Sequence, residues 1–159
     1  MNKNFYKKNP LNVGHSRTIE NAIAWIHSEG VDDNEFDYHE IEMIRKTIIN
    51  FTRVENSILI LSPYKQQVEL LQSMIVTYGI QNTHVSTIDK SQGNEADIVI
   101  LSLVKSNPTS FLTKRRSNVM ISRTRDKLMV FGNRNNALTS SNAVLRSLAK
   151  NSGYKNLES

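Results

Sequence analysis

The chain has 159 residues and a mass of 18.1 kDa, with 38% hydrophobic and 22% charged residues, which suits one globular domain with a sizeable core. It contains no cysteine, which excludes a disulfide scaffold, a thiolate metal site and a cysteine nucleophile, and points to a cytoplasmic protein. The net charge of +5 is uneven: residues 1–60 carry 7 basic and 9 acidic side chains, residues 61–159 carry 13 and 6.

Residues 1–20 are polar and patternless and are expected to form an extended or mobile arm. Ala22–His27 is a short apolar run that reads as a strand. From Tyr38 the period turns helical, with Ile41, Ile44, Ile48 and Phe51 on one face. Ser57–Ser62 is a continuous apolar strand of the kind buried on both faces of a parallel sheet. Pro63 suits the first turn of a following helix, whose face is Val68, Leu71, Ile75 and Tyr78, and Gly79 stops it. Thr83–Ile88 and Ile98–Val104 are strands, Arg116–Thr124 a polar helix, Leu128–Gly132 a buried strand and Ala137–Lys150 a last helix. This alternation predicts an α/β domain over residues 21–150, with a mostly parallel sheet covered by helices on both faces, and a tail over 151–159.

In such folds ligands gather at the carboxyl ends of strands, so the polar segments that follow strands are the candidate sites. In Ile60–Gln67, Ser62 and Pro63 at a helix start suit a phosphodiester, and Tyr64 offers a face for a base. The same residues also read as an ordinary cap, with Ser62 capping and Tyr64 at the rim. In Val85–Ser102, Gly93 permits close backbone approach, Gln92 and Glu95 suit ribose hydroxyls, and Thr87 and Ser91 can reach a nucleic-acid backbone. The alternative is a polar connection between two strands. Eight Lys or Arg and one acid lie between Lys105 and Arg134, an electrostatic footprint for a polyanion or a solvated surface. Within it, a helical Arg116–Thr124 groups Arg116, Met120 and Arg123 on one side, where an arginine suits a transferring phosphoryl group or pairs with surface acids. The acid-rich Glu29–Glu42 run, with seven acids and no Lys or Arg, reads as an exposed loop and helix start. Four scattered histidines (His15, His27, His39 and His84) have no metal-ligand spacing, so no metal site is expected.

Three segments in order resemble the second RecA-like domain of a superfamily 1 helicase of the upframeshift type. These are SPYKQQ from Ser62, STIDKSQGNEADIVILS from Ser86, and RRSNVMISRTR from Arg115. They are similar to the family's Thr/Ser-Pro-Tyr-x-x-Gln segment, its motif V and its motif VI, over roughly Asn21–Asn133. The resemblance implies a RecA-like three-layer domain. Arg123 corresponds to the motif VI arginine that reaches the γ-phosphate of ATP, and Gly93 and Glu95 to the motif V group near the nucleotide. Ser62, Pro63, Tyr64, Thr87 and Ser91 correspond to positions on the nucleic-acid side, while Asn118 is expected to be structural. Met120 and Thr124 stand where the family usually has alanine, and Ser122 replaces threonine.

The sequence contains no G-x-x-x-x-G-K-[ST] phosphate loop and no Asp-Glu magnesium motif. Phe5-Tyr6 followed by Leu11 resembles the stretch just after the family's Gln-x-Arg-Met segment, so the chain is expected to begin partway through a helicase pattern. ATP and Mg2+ are then expected to be held mainly by a first RecA-like domain, in a longer chain or in trans. Single-stranded nucleic acid is the other expected partner, with no membrane. The rival expectation is a stand-alone nucleic-acid or protein-binding module without catalysis.

Overall fold

The computed structural model describes residues 22–90, 94–107 and 112–155. Strand β1 (Ile23–His27) leads to α1 (Tyr38–Phe51), β2 (Ile58–Ser62), α2 (Lys65–Thr77) and β3 (Thr83–Thr87). After a 3-10 turn at Ile88–Lys90 come β4 (Ala96–Ser102), α3 (Lys114–Arg123), β5 (Thr124–Gly132), α4 (Arg134–Leu138), α5 (Ala143–Lys150) and β6 (Gly153–Lys155). The six strands form one sheet in the order β3-β2-β4-β5-β1-β6, and every pairing is parallel.

Alternation along the strands builds a core on each side of the sheet. Leu59, Leu61, Val99, Leu101, Leu128, Val130 and Trp25 pack with Met120 and Ile121 of α3 and with Leu145 and Leu148 of α5. Ile58, Ile60, Ile98, Ile100, Met129 and Phe131 meet Ile41, Ile44 and Ile48 of α1 and Val68, Leu71 and Met74 of α2. The expected three-layer α/β domain is therefore present. The buried Trp25 places its one polar atom well, its Nε1 donating to Gly132 O at 2.9 Å.

Several elements differ from their sequence reading, each for a local reason. The helix after β2 begins at Lys65 rather than at Pro63, because Ser62 Oγ accepts the Tyr64 N–H at 3.3 Å and closes a turn first. Tyr78 falls outside the buried face of α2 and lies beneath the Arg45 guanidinium, 4.6 Å from its ring centre. Helix α3 starts earlier, where Thr113 Oγ1 accepts the Arg116 N–H, and its last residue passes directly into a strand that begins at Thr124, not Leu128. The expected helix over Ala137–Lys150 is two helices. Asn142 caps the second by accepting from Val144 and Leu145 N–H, both at 3.0 Å, and also donates to Leu112 O. Gly153–Lys155, within the stretch read as a tail, pairs with β1 as an edge strand. No helix among the described residues is long and apolar enough to cross a membrane.

Candidate functional site

Parallel pairing gives the sheet a carboxyl edge and an amino edge, and the sequence-predicted residues divide between them. Ser62 and Thr87 end β2 and β3 and are register partners at the carboxyl edge, with Pro63 and Tyr64 directly beyond. Glu95 and Arg123 immediately precede Ala96 and Thr124, which are register partners at the amino edge of β4 and β5. Sequence reasoning placed all these segments at carboxyl ends, and the structure corrects this for Glu95 and Arg123. The chain passes from Thr87 at one edge to Ala96 at the other. Ser91 and Gly93, together with Gln92, lie outside the described residues. A five-residue strand separates the edges by roughly 16 Å at ~3.3 Å per residue.

Helix α3 spans that distance on one face of the sheet. A cleft of about 400 Å3 lies along it, lined by Ile88, Asp89, Thr113, Arg115, Arg116, Val119 and Arg123. Arg116 clamps Asp89 with two bonds, Nε to Oδ1 at 3.1 Å and Nη2 to Oδ2 at 3.0 Å, tying α3 to the turn after β3. Arg123 is half-buried. Burial lowers its pKa and the neighbouring Glu95 charge opposes that, so the guanidinium remains a cation with part of its hydration removed. Asn118, expected to be structural, is exposed, beside Lys114, Arg115 and Ser122. Met120 is fully buried and anchors the helix.

At the carboxyl edge the Ser62 side chain is fully buried, so its hydroxyl shapes the turn while Pro63 and Tyr64 are partly exposed. The Lys105 ammonium stands 5.7 Å from the centre of the Tyr64 ring. Burial, with the Glu35 charge adding to it, raises the Tyr64 pKa, so the phenol stays neutral. A flat ring capped by a cation is a surface on which a base can stack while its phosphate meets the charge.

Behind this edge lies a buried polar group that sequence reasoning missed. Glu40, in the acid-rich run read as exposed, is fully buried at the first turn of α1, and Asp37 is buried as its N-cap. Glu40 Oε1 accepts from Ser102 Oγ at 2.6 Å and from Val104 N–H at 3.0 Å. Gln67 donates to Ser102 Oγ at 3.0 Å and accepts the Asp37 N–H at 2.9 Å. Burial pushes the Glu40 pKa up to about 7 against the bonds from Ser102 and Val104, and the Asp37 charge reinforces the rise. The available signal was the cap pattern, an Asp followed three residues later by a Glu at the head of an apolar helical period.

No group of three or more His, Cys, Asp or Glu among the described residues is arranged to hold a metal ion. The donors along the cleft are guanidinium groups and a hydroxyl, which match phosphate oxygens.

A family model described as "AAA domain" matches residues 6–135. The chain is 39% identical over 108 residues to DNA polymerase alpha-associated DNA helicase A of Saccharomyces cerevisiae, covering 63% of this chain and 16% of the relative. It is 31% identical over 153 residues to the DNA replication ATP-dependent helicase/nuclease dna2 of Schizosaccharomyces pombe, covering 89% and 11% respectively. The fold matches the C-terminal domain of a possible DNA helicase from Lactobacillus plantarum, with a TM-score of 0.54 and 13% identity over 86% of this chain and 84% of that one. The chain thus spans less than a fifth of the length of these two relatives. It belongs to this AAA-domain family, as a helicase domain of the upframeshift-like superfamily 1 type.

Proposed function

We propose that this chain is the second motor domain of an ATP-dependent helicase, with a nucleotide-facing edge and a strand-facing edge joined by α3. One observation carries the reading: the Glu95–Arg123 neighbourhood, before β4 and β5, and the Ser62–Thr87 pair, at the ends of β2 and β3, sit at opposite edges of the same parallel sheet, and α3 runs between them. Arg123 would meet the γ-phosphate of a nucleotide held mainly by a P-loop domain elsewhere, with Glu95 and Gly93 beside it. Mg-ATP, when bound, supplies the phosphoryl group whose transfer to water drives domain movement.

The residues of this chain hold and orient. The half-buried Arg123 brings a fixed positive charge that needs little reorganisation, the feature that lowers a phosphoryl-transfer barrier. Tyr64, Pro63, Thr87 and Ser91 would line the single-strand track, with Ser62 shaping its turn. The Arg116–Asp89 clamp transmits movement of one edge to the other because it ties the turn after Thr87 to the helix that ends at Arg123. The test is ATP hydrolysis by the purified chain, alone and with a P-loop domain from the same organism. Activity is expected only in the mixture or in a longer protein, and clear Mg-dependent turnover by the chain alone would overturn the reading.

A second reading, a binding module without catalysis, draws on the exposed Lys114 and Arg115 beside Asn118, a cationic surface that needs no ATP cleft. It predicts salt-sensitive oligonucleotide binding that is indifferent to Arg123→Ala and to any P-loop partner.

A further inference from the structure

Val104, a β-branched and fully buried residue, has a φ of 68°, in the left-handed region that such side chains avoid. Lys105 N–H donates to Leu103 O at 2.7 Å, closing a three-residue turn around it. Strain of this kind persists only where the surroundings over-determine it, and here they do so on both sides of Val104. Its N–H is held by Glu40 Oε1 at 3.0 Å, and its carbonyl accepts the Val31 N–H at 2.9 Å. The residue that leaves this turn is Lys105, whose ammonium lies over Tyr64 and 3.4 Å from Asp32 O.

A buried carboxylate is a poor choice for holding a turn if packing were its only task. Glu40 Oε2 and the buried Ser28 Oγ face each other without a well-formed hydrogen bond to any group, and Ser28 offsets only a small part of the desolvation of the carboxyl, which costs stability. We infer that Glu40 is a positioning residue for single-stranded nucleic acid: through Val104 it aims the Lys105 ammonium at Tyr64, so that one phosphate and one base are gripped together. The inference rests on the reading of the carboxyl edge as the strand track.

The test uses the full 159-residue chain and a fluorescent single-stranded 20-mer, with affinity followed by anisotropy across a salt series. Glu40→Met fills the same space without an acceptor and is expected to weaken binding about 5- to 10-fold. It should also lower the slope of log affinity against log salt by ~0.7, the loss of one phosphate contact on a single strand. Glu40→Gln keeps the acceptor and should restore both. Lys105→Ala should match the loss and add nothing to Glu40→Met. If Glu40→Met does not fold, Glu40→Asp withdraws the acceptor by one methylene and should behave the same way. Wild-type binding with unchanged affinity and slope in these variants would overturn the inference and leave the strand track standing. A wild-type chain with no salt-dependent binding would overturn both.

Discussion

Arg125 on β5 donates from Nε to Asp97 Oδ1 on β4 at 3.2 Å, each residue lying two positions beyond Arg123 and Glu95. The same guanidinium reaches Ser57 Oγ at 2.9 Å, while Asp97 Oδ2 accepts the Ser57 N–H and Asp97 N–H donates to Ser57 Oγ. Three strands are thereby tied where the β4–β5 register shifts between Ala96 and Ile98. The tie fixes the backbone on which Glu95 and Arg123 stand.

Asp97→Asn should cost about 1 kcal/mol at pH 7, a value kept low because the pair is partly solvated. Burial alone would raise the Asp97 pKa, but the Ser57 amide, the Arg125 charge and the Asn56 side chain outweigh it and hold it below 3.8. The unfolded chain therefore binds the proton more tightly, and the stabilisation is complete above the unfolded pKa and lost as pH falls through the folded one. Urea titrations of both proteins at pH 7 and pH 3 check this. A gap that stays constant across that range would show that Asp97 acts through shape alone.

Glu40 should give the opposite pH dependence. Its folded pKa of about 7 lies above the ordinary 4.5, so the folded state takes up the proton first. Stability from this group is fully present below pH 4.5 and is lost as pH rises through 7, with a total on the order of 3 kcal/mol. Glu40→Gln, fixed in the neutral form, should be more stable than wild type at pH 8 and close to it at pH 4.5. Thermal melts at the two pH values decide it, and equal melting temperatures at pH 8 would mean that the carboxylate is not desolvated.

Arg123→Ala in a two-domain assembly should lower the ATP turnover rate by about 10³-fold or more while leaving the fold intact, since the side chain is only half-buried. Arg123→Lys should recover little, because a lysine cannot reproduce a fixed planar fork. Steady-state turnover with saturating oligonucleotide is the measurement. Activity within threefold of wild type would remove Arg123 from the phosphoryl-transfer step.

The sequence made the sheet legible because its central strands are continuous apolar runs, as in Ile58–Leu61 and Leu128–Phe131, that alternate with amphipathic helices, and a doubly covered parallel sheet buries both sides of such runs. It did not reveal the start of β5, because Thr124–Lys127 extends the strand past the core with polar residues that carry no apolar period. β6 is three residues long, too short for any period. The break at Thr139–Ser141 was hidden because the helices on either side are individually short. Of the candidate site, the sequence offered residue types but not their arrangement. It singled out Tyr64, Thr87, Glu95 and Arg123 as candidates, whereas their division between two edges follows from the order β3-β2-β4-β5, which local sequence does not encode. Glu40 was hidden among seven acids because its burial is created by Ser102 and Val104, more than 60 residues away.

Gly30 connects the fold to the Lys105 turn of the proposed strand track. It sits at φ +80°, and a Cβ there would lie 2.7 Å from Ser106 Cα and N and 2.9 Å from the Lys105 carbonyl carbon. All three are backbone atoms, so the neighbour cannot rotate away as a flexible side chain would. Gly30→Ala should cost about 2–3 kcal/mol, from the left-handed φ together with the clash. The displacement has a direction, because Val31 holds this segment on both sides, donating to Val104 O and accepting from Ser106 N–H, each at 2.9 Å. Pushing residues 105–106 outward draws Lys105 away from Tyr64, so oligonucleotide affinity should fall beyond what the loss of folded protein explains. Anisotropy titrations at 10 °C, where the variant stays folded, separate the two effects. Wild-type affinity in folded Gly30→Ala would show that the Lys105 turn does not set the grip on the strand.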